Sequence, residues 1–226
     1  MLLTIVSATP FEIAPTTLFL KENFEGLDIG LFQKNKVTIR TIITGVGMPL
    51  TAFQLGLYLS QEQPDLLINA GIAGAFNKDL ALGAVVNITS DRFGDLGVEE
   101  ADGTFTDVHE MGLIQADDKP FENGILSNTP TSATDFLPKV SGLTINKVHG
   151  YQPSIDQLIK KYQVDVETME GAAVFLACLQ SKVDFLAIRS ISNYVESRNR
   201  DAWEIALAIE NLNEVLKQII GSFIQE

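Results

Sequence analysis

The chain has 226 residues, 46% of them hydrophobic, enough for a sizeable core and better suited to one domain, 1–226, than to two. Its 29 acidic against 16 basic residues give a formal charge of −13, which repels a nucleic-acid polymer, and no basic run makes a local exception. No stretch of about 18 consecutive apolar residues exists, so no membrane span is expected, and the single Cys178 excludes an internal disulfide framework and fits a reducing cytoplasm.

The opening MLLTIVSATPFE has no basic n-region and runs straight into a strand-like pattern, which argues against a signal peptide. A strand is predicted at LLTIVSA (2–8) and another at VTIRTIIT (37–44), then a helix over 49–61. DLLINAG (65–71) and AVVNIT (84–89) read as strands that are apolar nearly throughout, as expected where both faces are covered. Residues 91–135, rich in Gly, Asp and Glu, read as long loops with short strands. Then come a strand at LTINKV (143–148), helices over 154–163 and 169–181, and a strand at FLAIRSIS (185–192). The last helix, 201–224, carries Ile205, Ile209, Leu212, Leu216, Ile219 and Phe223 on one stripe, with Asp201 and Glu204 as a capping-box-like start. Alternating strands and helices around a covered sheet make an α/β domain.

Much chemistry is missing from the sequence. His109 and His149 are the only histidines, and there is no HExxH, CxxC or P-loop, so no metal site is expected. TGVGMP (44–49) lacks the third glycine of a dinucleotide fingerprint and reads as a tight strand-to-helix turn. GIAG (71–74) reads as a small-residue turn where backbone, at Ile72 and Gly74, approaches a ligand. Cys178 lies among Val174, Phe175 and Leu179 and reads as a buried, inert thiol.

One stretch is odd. In VDVETMEGAAVFLACL (164–179) three carboxylates, Asp165, Glu167 and Glu170, precede an apolar small-residue run. A helix-start carboxylate favoured by the macrodipole would account for Glu170. Met169-Glu170, together with Glu12 after the first strand and RSISN (189–193) ending a later one, resembles the nucleoside phosphorylase and nucleosidase superfamily. The likeness is close to the methylthioadenosine/adenosylhomocysteine nucleosidases. VETMEGAAVF, the His149-Gly150 pair and SNYVESRNRDAW (192–203) resemble the futalosine hydrolases of menaquinone biosynthesis.

The resemblance implies a three-layer αβα fold with a mixed, twisted central sheet, a homodimer, and cofactor-free hydrolysis of a small purine nucleoside. Carried onto these positions, Glu12 activates the attacking water and Arg189 helps position it, while Glu170 binds the ribose hydroxyls and Met169 packs on the sugar. An N-glycosidic bond breaks through an oxocarbenium-like cation, which a fixed carboxylate stabilises more than it does the substrate. His149 and Tyr151 lie near the family's purine-stacking segment. Trp203 matches an aromatic residue that covers the sugar or the 5′ substituent.

Two departures from the family pattern carry the specificity. Asn193 stands where the methylthioadenosine nucleosidases have an aspartate; its amide offers one kind of donor and one acceptor, suiting a 6-oxo group and a protonated N7. An amide cannot hand over a proton, so the N7 proton is expected from water. Ile72 stands where relatives carry a serine, and its side chain cannot donate to a phosphate oxygen, which favours water over phosphate as nucleophile. Arg198 and Arg200 are candidates for pairing with the carboxylate of futalosine's 5′ group, or simply offset Glu196, Asp201 and Glu204. The loop Asp95–Glu99 also resembles a futalosine-hydrolase loop. The resulting expectation is hydrolysis of futalosine to hypoxanthine and dehypoxanthine futalosine. Its rivals are methylthioadenosine hydrolysis, phosphorolysis, and a silent nucleoside-binding protein.

Overall fold

The structure is a computed structural model that describes residues 1–128 and 132–224. Residues 129–131, part of the predicted 91–135 loop region, and the last two residues of the chain lie outside the described residues. The chain opens with strand β1 (Leu2–Ser7), helix α1 (Ala14–Asn23), a hairpin of β2 (Glu25–Asp28) and β3 (Leu31–Lys34), strand β4 (Val37–Ile43) and helix α2 (Met48–Gln61). Strands β5 (Leu66–Ala75) and β6 (Val85–Asp91) follow, then the short β7 (Gly97–Glu99), β8 (Phe105–Asp107) and β9 (Leu126–Ser127). The rest is β10 (Lys139–Thr144), α3 (Gln152–Tyr162), β11 (Val166–Thr168), α4 (Gly171–Ser181), β12 (Phe185–Tyr194) and α5 (Ile205–Ile224).

Ten strands form one mixed sheet in the order β11-β10-β6-β12-β5-β1-β4-β3-β2, with β9 added on β6. β11 also pairs antiparallel with β5 through Val166–Ala75 and Glu167–Gly74. The strands β5, β12, β6, β10 and β11 therefore close on themselves, while β1, β4, β3 and β2 form an open wing. The expected three-layer αβα arrangement is found. Leu67 and Ala187 pack with Leu55 of α2 and Phe175 of α4 on one face. Their strand neighbours Ile68, Leu186 and Ile188 pack with Leu20 of α1 and Leu212 and Leu216 of α5 on the other. That period-2 division explains why the first halves of these strands are apolar on both faces, with Asn69 the one polar residue among Leu66–Ala70 and Phe185–Ile188.

Several boundaries moved. The GIAG segment is not a turn but the second half of β5. The strand predicted at 143–148 lies earlier, at Lys139–Thr144, because Val140 and Leu143 are buried between β6 and β11 despite the weak strand composition of Ser141-Gly142. The last helix starts at Ile205 rather than at 201. Asn199, not Asp201, caps a short 3₁₀ turn over Arg200–Ala202, and the Glu204 carbonyl accepts the first α5 bond from the Ala208 amide at 2.9 Å. Helix α1 was not predicted, since of its residues only Thr16 and Leu20 are buried. Pro15 nonetheless occupies a favoured first-turn position.

Candidate active site

β1, β5 and β12 run parallel and deliver their carboxyl ends to one edge, where open α/β sheets take ligands. Glu12 lies in the turn after β1. Its Oε2 accepts from Ser7 Oγ (3.1 Å), Thr9 N (3.0 Å) and Thr9 Oγ1 (2.9 Å), and its Oε1 accepts from the Ile72 backbone N–H at 3.2 Å. A carboxylate has about four acceptor sites, two on each oxygen, so Oε1 keeps one for a proton. The turn is pinned from behind: Asn213 of α5 donates to the Glu12 carbonyl (2.8 Å) and accepts from the Thr16 amide (2.9 Å) and hydroxyl (2.6 Å). In the sequence that bond shows only as a polar residue inside the α5 apolar stripe.

Arg189 is fully buried on β12. One terminal nitrogen donates to the carbonyls of Asn69 and Ile188, both at 3.0 Å, and the other donates to Asn69 Oδ1. Burial pushes its pKa down, while the nearby carboxylates of Glu170, Glu12 and Asp91 pull it back up. Asn69, its direct holder, escaped notice in the sequence.

The three carboxylates of 165–170 do three different things. Asp165 accepts from the Ser141 amide (2.9 Å) and hydroxyl (2.8 Å) and from Asn77 Nδ2 (3.0 Å), tying the segment before β11 to β10 and to the loop after β5. Glu167 grips His149, with Oε2 at 2.7 Å from Nδ1 and Oε1 accepting the His149 backbone N–H at 3.2 Å. Glu170 sits at the N-cap position of α4 without capping it. The first α4 amides go instead to Thr168 (3.2 Å, from Gly171) and Thr144 (2.7 Å, from Ala172). The freed Glu170 carboxylate reaches the TGVGMP turn, accepting the Gly47 N–H at 2.8 Å on Oε1. That segment is the tight turn expected, with positive φ at Gly45 (87°) and Gly47 (94°). Burial raises the Glu170 carboxyl above its ordinary value; the Gly47 amide and Arg189 oppose this, and Glu12 adds to it.

Four residues beyond Arg189 on β12 stands Asn193, about 13 Å further along an extended strand. It is buried opposite Gly74, with a register shift between Ile191 and Asn193. A Cβ on Gly74 would lie 3.2 Å from Asn193 Nδ2 and 2.9 Å from Val195, so only glycine admits this approach. Asn193 Oδ1 accepts from Ser192 Oγ (2.8 Å) and Nδ2 donates to the Tyr194 carbonyl (3.0 Å). One N–H and one lone pair remain. Asn193 borders a cavity of about 210 Å³ that His149, Tyr194, Arg198 and Trp203 also line. The Arg198 guanidinium stacks over the Trp203 ring at 5.5 Å.

The structure thus gathers the sequence candidates into two neighbouring groups. Glu12 and Glu170 interact with the charge of Arg189, Ile72 holds Glu12, and Met169, half-buried, precedes Glu170; Asn193, His149, Arg198 and Trp203 share the cavity. Tyr151 is 69% exposed, and Arg200 is exposed on the 3₁₀ turn; neither lines the cavity. Asp95 of the flagged loop accepts from the Asn146 amide at 2.6 Å, beside a second, mostly apolar cavity of about 270 Å³ under Met48, Pro49 and Phe93. Cys178 is buried, and burial pushes its thiol up to about 12, so it is inert. Among the described residues no His, Cys, Asp and Glu side chains cluster as metal ligands, and no helix is long and apolar enough to cross a membrane.

Residues 3–225 match the model of the Phosphorylase superfamily. The chain belongs to that superfamily. Within it, a futalosine hydrolase from Acidothermus cellulolyticus is 29% identical over 184 residues, 79% of this chain and 74% of the relative. A 5′-methylthioadenosine/S-adenosylhomocysteine nucleosidase from Maridesulfovibrio salexigens is 30% identical over 191 residues, 80% of this chain and 79% of the relative. The native futalosine hydrolase structure from Helicobacter pylori matches with a TM-score of 0.80 over 98% of both chains, at 14% identity, which is a likeness of fold. These superfamily relatives make the chain an enzyme of the N-glycosidase type.

Proposed function

We propose that this enzyme hydrolyses futalosine, releasing hypoxanthine and dehypoxanthine futalosine, as a step of menaquinone biosynthesis in the cytoplasm. The observation that carries this reading is the neutral amide of Asn193 on the cavity wall, with one N–H and one lone pair uncommitted. The N–H matches a 6-oxygen, and the lone pair matches N7–H of the departing base. A 6-amino group would meet a donor there, at a cost of about 1–3 kcal/mol when buried. Glu12 takes the proton of the attacking water on Oε1, between the Ile72 amide and Arg189. Glu170 and Met169 hold the ribose, with Glu170 Oε2 as the acceptor for its hydroxyls. Arg198 pairs with the carboxylate of the 5′ group, and Trp203 covers the substrate beneath it.

A homodimer belongs to the same reading; the exposed Leu50, Phe53 and Leu57 of α2 support an apolar contact with a partner. Methylthioadenosine hydrolysis is the second reading, favoured by the 30% identical nucleosidase and opposed by Asn193. Base release from futalosine and methylthioadenosine in parallel, in phosphate-free buffer, separates them. Hypoxanthine from futalosine alone supports the proposal. Adenine from methylthioadenosine at a comparable rate overturns it, and a requirement for phosphate would make the enzyme a phosphorylase.

A further inference from the structure

The cavity holds a titratable pair that the roles above leave unused. His149 and Glu167 have side chains only 6% and 5% exposed. Glu167 spends both oxygens on this one residue, Oε2 on the ring Nδ1 at 2.7 Å and Oε1 on its backbone N–H at 3.2 Å. The ring therefore cannot turn freely, and an ionised Glu167 requires the proton on Nδ1. Nε2 is left as the working nitrogen. It has no protein partner among the described residues, and His149 lines the same cavity as Asn193.

Breaking the bond from C1′ to N9 loads negative charge onto the purine, and an amide such as Asn193 cannot neutralise it by giving a proton. The other titratable groups on the cavity wall are committed. Tyr194 donates its hydroxyl to the Leu80 carbonyl at 3.1 Å, and Glu196 pairs with Lys78 at 2.6 Å. We propose that His149, held by Glu167, is the general acid that protonates the departing base at N7, in place of water. This rests on the nucleosidase reading above.

The step balances. With both ring nitrogens protonated, the Nε2 proton passes to N7 while the C1′–N9 electron pair stays on the base. The base leaves as a neutral oxopurine whose N7–H is shared between the Asn193 lone pair and Nε2, and His149 becomes a neutral imidazole whose Nδ1–H stays on Glu167. Water adds to C1′ and its proton goes to Glu12; solvent returns a proton to Nε2 for the next turnover. Glu167 offsets the imidazolium charge before the transfer and fixes the tautomer after it, the division of labour of a carboxylate-oriented histidine. The charged groups facing His149 are Glu167 on β11 and, from the segment after β12, Glu196 and Arg198 across the cavity; Lys147, two residues earlier, is exposed.

The test is the pH dependence of kcat for base release by wild type, His149→Asn and Glu167→Gln. Wild type should lose kcat on the alkaline side of its optimum. His149→Asn should lose roughly 10²–10⁴ in kcat with KM nearly unchanged, and that alkaline limb should vanish. Glu167→Gln keeps an acceptor for Nδ1–H; it should lose less kcat, and its alkaline limb should move to lower pH, because the imidazolium has lost its carboxylate. If His149→Asn does not fold, the displaced limb of Glu167→Gln decides. A profile unchanged in shape in the variants overturns the His149 assignment alone. A wild-type enzyme that releases no base from any purine nucleoside overturns the nucleosidase reading, and this assignment with it.

Discussion

The backbone N–H of Ile72 donates to Glu12 Oε1 at 3.2 Å, tying the turn after β1 to the middle of β5. Gly71, one residue earlier, makes the approach possible, since a Cβ there would stand 2.9 Å from the same oxygen. With Oε2 held by Ser7 and Thr9, the carboxylate has one orientation and one open acceptor site. Glu12→Gln should therefore lower kcat by about 10²–10⁴ while substrate still binds. Either placement of the new NH₂ sets a donor against a donor, so the variant should also melt earlier, by about 1–2 kcal/mol of stability. Chromatographic base release together with titration calorimetry checks this; turnover within a few-fold of wild type would remove Glu12 as the base.

Asn193→Asp should relax the choice of base. The carboxylate would accept from a 6-amino group, so the ratio of kcat/KM for 6-oxo over 6-amino nucleosides should fall about 10- to 100-fold. The same substitution puts a carboxylate oxygen where Nδ2 now donates to the Tyr194 carbonyl at 3.0 Å, so some loss of thermal stability is expected. Competition between inosine and adenosine in one reaction gives the ratio directly. An unchanged ratio would mean that another group reads position 6.

Strands β1, β4, β5, β6 and β12 and helices α2, α3, α4 and α5 were legible because their residues are largely apolar or carry an apolar stripe, a signal local to each element; β2, β3, β11 and α1 carry too little of it and were not. Glu12, Glu170 and Asn193 were singled out only through a motif resemblance, and the roles proposed for them depend on partners such as Ile72, Gly47 and Tyr194. Glu167 stood in plain view among three carboxylates, yet its role depends on a loop 18 residues away. Asn69 and Asn213 were invisible for the same reason: one holds Arg189 from β5, the other holds the Glu12 turn from α5. The start of α5 was misread because Asn199 and the Arg200–Ala202 turn interrupt what looked like a continuous capping pattern.

Arg198 and Arg200 were equivalent in the sequence and are not in the fold. Both are exposed, but Arg198 lines the cavity and stacks on Trp203, whereas Arg200 lies outside it. Arg198→Met should raise KM for futalosine at least tenfold, corresponding to a lost charge-assisted pair of about 1.5–3 kcal/mol. KM for inosine, which lacks the carboxyphenyl group, should change little. Arg200→Met should leave both near wild type. An equal rise for futalosine and inosine would reassign Arg198 to the shared part of the substrate.

Asp91 sets a pH dependence of stability. It is fully buried and accepts the Thr144 hydroxyl (2.9 and 3.0 Å) and the Arg92 amide (2.7 Å), and Thr144 in turn receives the Ala172 amide that opens α4. Burial pushes its carboxyl up to about 7, against the opposing pull of Thr144, the Arg92 amide and Arg189. The folded protein therefore holds this proton more tightly than the unfolded chain does. The stability it contributes is fully present below about pH 4 and is lost as pH rises through about 7. Asp91→Asn cannot titrate, so its urea-unfolding free energy should lack that decline, and its advantage over wild type should grow between pH 4 and pH 7 by up to about 4 kcal/mol. If the two proteins keep a constant difference across that range, Asp91 enters the folded state already ionised, and Arg189 outweighs the burial.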